Sequence, residues 1–457
     1  EIYTLSLHDA LPISSWFKPA PPLSGENTMQ KLTYRDSIGQ LDRLLKRNEA
    51  DQQSTRDGVL AIIDRVKAEG DAALRALTAQ FDGCTVTDLK VSAKEIDEAF
   101  AAADPKLVAA IEKAADNIRA FHKKQLETTW TYEPAPGITL GQHITPIERV
   151  GVYVPGGKAA YPSTVLMDTI PAVVAGVNAI AMVTPPGENG KINPNILCAA
   201  KIAGVSEIYK VGGAQAVAAL AYGTETIAPV HKIVGPGNIF VATAKKEVFG
   251  KVAIDMIAGP SEVLVLCDGS ADPEWIAADL LSQAEHDEMA MPILVTTDDA
   301  FADAVIDEVY RQIKADLRRK TIAKSAVDHF GFVFVCDDLD EAFELAGRVA
   351  PEHMELALPD AKAYLDRVQN AGAIFLGSYS PEPLGDYFAG PNHTLPTSGT
   401  AKFSSPLGTY DFIKRSSIIE YGEANLRAVA DDIVIFAEAE GLDAHAKSIE
   451  KRFRKKV

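Results

Sequence analysis

Between residues 57 and 123 apolar side chains recur every three to four positions. Val66, Leu74, Leu77 and Phe81 form one series, and Ala109, Ile111, Ala115 and Ile118 another. That period predicts amphipathic helices. From residue 149 the pattern changes. Arg149-Val-Gly-Val-Tyr-Val-Pro-Gly-Gly predicts a strand entering a glycine turn. A helix over 162–176 follows, then a strand over Ala179–Thr184. The alternation continues with a helix (Pro194–Ala203), a strand (207–211), a helix (214–222), a strand (Lys232–Val234) and a helix (239–249). Strands separated by helices at this spacing predict a parallel sheet covered on both faces. Ligands of such sheets sit at the carboxyl ends of strands.

A second α/β region follows. Residues 261–267, 293–296, 331–336 and Ala373–Leu376 predict strands. Helices are predicted from Asp272-Pro273 to His286 and over Leu339–Val349. About thirty residues after Gly377, up to Gly408, are rich in Gly, Pro, Ser and Thr. An irregular stretch that long in a compact chain usually carries function. From Ala424 the pattern is helical again, ending in a basic run over 451–456.

Composition narrows the class. The chain has 457 residues, 47% hydrophobic and 24% charged. That length allows two or three domains and a core that needs no staple. The net charge of -18 disfavours nucleic acid and anionic membranes as partners. No apolar run reaches the roughly 18 residues of a spanning helix. Cys84, Cys198, Cys267 and Cys336 are far apart and form no Cys-x-x-Cys pair, which predicts buried, reduced thiols in a cytoplasmic protein. Residues 1–28 begin without Met and lack a basic start; they read as a disordered leader foreign to the fold, with Met29 the expected natural start.

Three glycine-rich turns follow predicted strands: Pro155-Gly-Gly, Gly212-Gly213-Ala-Gln215 and Gly235-Pro-Gly237-Asn238. Each opens a helix, whose free N–H groups and dipole favour an anion such as a pyrophosphate. None is a complete G-x-G-x-x-G, since Phe240 stands at the third position of the last. Gln283 and His286, three apart on one predicted helix, share a face that suits two ligands of one metal, or a polar helix end. Glu352-His353 offers two proton acceptors of different basicity. Gly385-Asp386 and Asn392-His393 lie in the long loop, and Glu440-Gly441 with His445 forms a helix break.

Taken in order, these elements form a specific set: Gly151-Val-Tyr153-Val-Pro-Gly-Gly, Val211-Gly-Gly-Ala-Gln215-Ala, Gly235-Pro-Gly-Asn238, Ala258-Gly-Pro-Ser261-Glu-Val, Ser282-Gln-Ala-Glu-His286, Ala350-Pro-Glu-His353, Gly390-Pro-Asn-His-Thr-Leu-Pro-Thr397 and Glu440-Gly-Leu-Asp-Ala-His445. The set resembles the histidinol dehydrogenase family, over about residues 29–454. The resemblance implies a zinc-containing, NAD-dependent dehydrogenase that oxidises L-histidinol through the aldehyde to L-histidine, the last step of histidine biosynthesis. It implies zinc ligands Gln283, His286, Asp386 and His445, and a catalytic pair Glu352 and His353. Substrate contacts would come from Ser261, Gln283, His286, His353, Asp386, Glu440 and His445, and NAD contacts from Tyr153, Gln215 and Asn238. The family resemblance further implies a homodimer in which Glu440 and His445 reach the partner's site.

The expected fold is α/β, with two incomplete Rossmann-like parallel-sheet domains and helical extensions at both ends. Its expected parts are 29–152 with 262–407, then 153–261 on the NAD side, then a dimerisation segment over 408–457. Three competing readings are a relative acting on another amino- or sulfo-alcohol, a zinc hydrolase, and a non-catalytic nucleotide-binding protein.

Overall fold

A computed structural model describes residues 28–39, 41, 52–156, 161–315 and 317–453. The expected leader up to residue 27, the second glycine of the Pro155 turn and the basic end at 454–456 lie outside them.

Two parallel sheets carry the fold. The first has five strands in the order β6-β5-β4-β7-β8, all parallel. Its strands are β4 (Arg149–Tyr153), β5 (Ala179–Thr184), β6 (Glu207–Lys210), β7 (Lys232–Val234) and β8 (Ala253–Ile254). The chain winds outward from β4 to β6, then returns to place β7 on β4's other side. The strand order therefore reverses between β4 and β7, the point at which such sheets leave a crevice at their carboxyl edge. The second sheet has six strands in the order β1-β11-β10-β9-β12-β13, again all parallel. They are β1 (Gln30–Thr33), β9 (Glu262–Cys267), β10 (Met291–Thr296), β11 (Phe332–Val335), β12 (His353–Ala357) and β13 (Ala373–Leu376). Every residue of β9 and β10 is buried, which is why their sequences are nearly unbroken apolar runs.

A third, antiparallel sheet joins β2 (Trp130–Ala135), β3 (Ile138–Pro146) and β14 (Ile413–Tyr421) in the order β14-β3-β2. It was not expected. Pro136-Gly137, with Gly137 at φ +83°, makes the turn between β2 and β3. After β14 come the helices Glu423–Ala428, Ala430–Ala439 and Asp443–Phe453.

The expected grouping of 29–152 with the six-stranded sheet needs correction. Val59, Ile63, Val66, Leu74 and Leu77 share a core with Tyr153, Val183 and Val217 on one side of the five-stranded sheet. Ile111, Ala115 and Ile118 pack with Val150, Val152 and Met182 on the other. The early helices thus cover the five-stranded sheet, and the boundary at 152 cuts β4. A parallel sheet buried on both faces needs a helix layer on each, and the early helices extend the layers that the crossover helices Gly213–Tyr222 and Ile239–Val248 form on one face and Pro162–Ala175 and Pro194–Ala203 on the other. Among the described residues of the early segment, β1 joins the six-stranded sheet, and Met29, Tyr34 and Leu41 pack against its cores. Among the described residues no helix is long and apolar enough to cross a membrane. All four cysteines are free and buried.

Candidate active site

The strands β9 and β12 lie side by side, with His353 paired to Val263 in register. Their first residues, Glu262 and His353, therefore sit together at the amino edge of the six-stranded sheet. The helix Pro273–Ala284 runs antiparallel to the strands and delivers its carboxyl end to the same edge. Gln283 is in its last turn; His286 lies just beyond it, where its N–H donates to the Gln283 carbonyl at 3.1 Å. The pair does not share a helical face, as spacing alone suggested. The helix stops at Ala284 and a turn carries His286 onward. A helix carboxyl end holds partial negative charge and favours a cation.

The backbone of Glu262 orients three of the expected residues. Its N–H donates to Glu352 Oε2 at 2.8 Å. Its carbonyl accepts from Gln283 Nε2 at 3.3 Å and lies 3.0 Å from His353 Nδ1. A carbonyl can only accept, so Nδ1 carries a proton. In the neutral ring Nε2 is then the acceptor, the atom able to take a proton. Nε2 lies 3.4 Å from Asp386 Oδ1. Gln283 Nε2 donates to the Glu262 carbonyl and lies 3.1 Å from the protonated His353 Nδ1, to which it cannot donate; its Oε1 is left buried without a hydrogen-bond partner.

Asp386 does not lie in irregular chain. It sits on a short helix, Glu382–Tyr387, inside the long loop. Glu382 is one turn earlier on the same face, a residue sequence reading missed; its spacing of four from Asp386 was the available signal. His286, Glu382 and Asp386 bring ligand atoms within 4.8 Å of one another, a geometry that could hold a metal ion. The donor set fits a divalent cation: imidazole and carboxylate oxygens, with the unpartnered Gln283 Oε1 nearby. His393, from the same loop, places Nδ1 3.1 Å from the Asp386 carbonyl.

Burial governs the charges here. It pushes the Glu352 carboxyl up to about 8, although neighbouring His353 draws it down. Burial works against a charged His353, but Glu352 and Asp386 outweigh it and push the imidazole up to about 10. Burial likewise opposes charge on Asp386, yet the adjacent His353 and the nearby His393 hold it well below the usual carboxylate range. Burial and the neighbouring Asp386 push Glu382 up to about 8. Ala350, two residues before Glu352, is buried and left-handed at φ +52°, a strained conformation for a non-glycine residue beside the proposed base.

The glycine turns converge at the carboxyl edge of the five-stranded sheet. Tyr153 ends β4 with its ring buried, and its hydroxyl accepts from the Gly213 N–H at 3.0 Å. Gln215 is buried with Oε1 unpartnered. Asn238 is exposed and caps the helix Ile239–Val248, its Oδ1 accepting from the Phe240 and Val241 N–H groups. Gly235, at φ +115°, approaches β4 so closely that a Cβ would stand 2.2 Å from the Tyr153 carbonyl oxygen. Only glycine fits there.

The other expected residues are dispersed. Ser261 stands just before β9, its carbonyl taking the Met291 N–H at 2.9 Å. Glu440 and His445 are exposed on the C-terminal helices, and neither belongs to the His286–Glu382–Asp386 group within one chain.

Comparison with known proteins gives a consistent result. The profile of the family described as histidinol dehydrogenase matches residues 45–453. A histidinol dehydrogenase of Bacillus licheniformis is 54% identical over 411 residues, covering 90% of this chain and 96% of its own. That of Bacillus subtilis is 52% identical over 421 residues, covering 92% and 98%. A crystal structure of histidinol dehydrogenase from Elizabethkingia anophelis superposes with a TM-score of 0.87 at 40% identity, covering 93% of this chain and 98% of that one.

Proposed function

The chain belongs to the histidinol dehydrogenase family, and from that premise we propose that it oxidises L-histidinol to L-histidine in two NAD-dependent steps. The observation that carries the reading is the meeting of Glu352, His353, His286 and Asp386 at one sheet edge. His353 Nε2 takes the proton of the substrate hydroxyl as hydride leaves the carbinol carbon for the nicotinamide. Glu352, its carboxyl pushed up to about 8 by burial, then removes a proton from the water that adds to the aldehyde, while His353 returns its first proton to the aldehyde oxygen and is free to act again. His353 takes the hydrate's proton as the second hydride leaves. Keeping the aldehyde bound between steps is the advantage of joining both oxidations in one site.

Gln283, His286 and Asp386 would hold a zinc ion, with Glu382 beside them. His445 would complete the set from a partner subunit, because in its own chain it is exposed and outside the group. When bound, the cation would anchor the substrate's imidazole and amine, and would take up the Asp386 charge that otherwise keeps His353 protonated. Tyr153, Gln215 and Asn238 would line the NAD site, and Ser261 and Glu440 would contact substrate. Ile419, Ile435 and Phe436, all more than half exposed on the C-terminal segment, support a homodimer formed through that segment.

NADH absorbance with L-histidinol, NAD and zinc tests the proposal. Steady NADH formation with L-histidine as product is expected. Product without NADH would point to a hydrolase, and NAD binding without turnover to a binding protein.

A further inference from the structure

The turn Gly235–Asn238 is fastened from below by a buried ion pair. Lys245, on the helix that the turn opens, and Asp255, just after β8, have side chains 2% and 0% exposed and are in direct contact. Both also hold the Gly235 peptide. Asp255 Oδ2 accepts the Gly235 N–H at 2.8 Å. Lys245 Nζ donates to the Gly235 carbonyl at 2.8 Å. The two ends of one glycine are thus fixed by the two halves of one ion pair.

The arrangement excludes two simpler roles. Lys245 is too buried to reach a phosphate on the far side of the turn, and its ammonium already faces Asp255 and the Gly235 carbonyl. A stabilising pair also needs no contact with a left-handed glycine; replacing a buried ion pair with apolar residues is often neutral or better for stability. What the pair supplies is conformation. Gly235 at φ +115° is one of many conformers open to a glycine, and fixing it in advance removes that entropy from the cost of binding. Asp168 adds a wall. Its Oδ2 lies 3.1 Å from the position of the missing Gly235 Cβ, and its Oδ1 accepts from Thr394 Oγ1 at 2.6 Å.

We infer that Lys245 and Asp255 are positioning residues for the dinucleotide, holding the Gly235–Asn238 turn in its binding conformation without touching the cofactor. The inference rests on the reading that this turn meets NAD. The test uses the zinc-loaded enzyme with both charges removed, Lys245→Met with Asp255→Asn, so that neither ion is stranded. The KM for NAD should rise about tenfold or more, equivalent to about 1.4 kcal/mol. The KM for L-histidinol and the zinc content should change less than about twofold, a threshold set well below that step. Lys245→Gln with Asp255→Asn, which also strands no ion and keeps polar groups facing each other, should shift the NAD value in the same direction by less, and serves if the first double variant does not fold. An unchanged KM for NAD, whatever the melting temperature does, overturns the inference, as does an equal rise in both KM values. Asn238→Ala separates the two layers. If it leaves the KM for NAD unchanged, the cofactor-site reading itself fails; if it raises that KM while the double variant does not, only the positioning role fails.

Discussion

The five-stranded and six-stranded sheets share a parallel, helix-covered plan, yet they present chemistry at opposite edges. At the carboxyl edge of the first, the glycine turns meet and helices begin. Positive helix ends there suit the anionic part of a dinucleotide. At the amino edge of the second, strands begin and the helix Pro273–Ala284 ends. A negative helix end there suits a metal cation and a positively charged substrate. The materials differ accordingly. The first edge is made of backbone, shaped by glycine and tied down by buried side chains. The second is made of titratable side chains, with Glu352, His353 and the neighbouring Gln283 oriented by the backbone of one residue, Glu262. On the proposed reading, the dinucleotide would sit at the carboxyl end of the first sheet, as the usual rule has it, and the substrate and metal at the amino end of the second.

This contrast predicts different kinds of damage. The largest effect should follow His286→Ala. Zinc content and activity should fall together, by more than the roughly 10–100-fold of losing a residue that merely supports a ligand. Chelation should mimic it and added zinc reverse only the chelation. Full zinc content in the variant would remove His286 from the ligands. Next is Glu352→Gln, which should slow the second oxidation by about 10²–10⁴-fold, the span of general-base catalysis, and the first by much less. Single-turnover traces begun with the alcohol or with the aldehyde separate the two, and equal losses would contradict the assignment. In the unmodified enzyme the aldehyde step should accelerate as pH rises through about 8, as Glu352 ionises.

On the other side, Gly235→Ala should act through the backbone. A Cβ would meet the Tyr153 carbonyl, and the left-handed φ costs of order 1–3 kcal/mol. Weakened NAD binding with intact zinc is expected, read by NAD titration beside metal analysis. Loss of zinc in this variant would break the division between the edges.

The smallest effect concerns Asp168. Burial pushes its carboxyl up to about 8, with Asp255 adding to the shift and Thr394 and Lys245 opposing it. An unfolded aspartate titrates near 4. The fold thus favours the protonated form, so this contribution to stability is whole below pH 4 and is lost as pH rises through 8. Asp168→Asn cannot ionise. Its melting temperature should fall less between pH 6 and pH 9 than that of the unmodified protein; parallel curves would contradict the buried, protonated state.

Much of this was legible in the sequence where one physical demand dominated. β4, β5 and β9 are apolar because both faces are covered, and the glycine turns stand out because no other residue fits. β12 was not legible. His353-Met-Glu-Leu-Ala carries two polar residues through a wholly buried strand, and their partners come from distant segments. Glu382 escaped for the same reason, since its nearness to His286 is made only by tertiary folding. The end of the helix at Ala284 was hidden because nothing in Ala-Glu-His breaks a helix. Placing the early helices required knowing which sheet lacked a cover, which local periodicity does not reveal.

The most direct measurement is the count of NADH formed per L-histidinol consumed, with substrate limiting and NAD in excess. A site that holds the aldehyde between Glu352 and His353 and completes both oxidations yields two. A yield of one, with free aldehyde accumulating, would contradict the account.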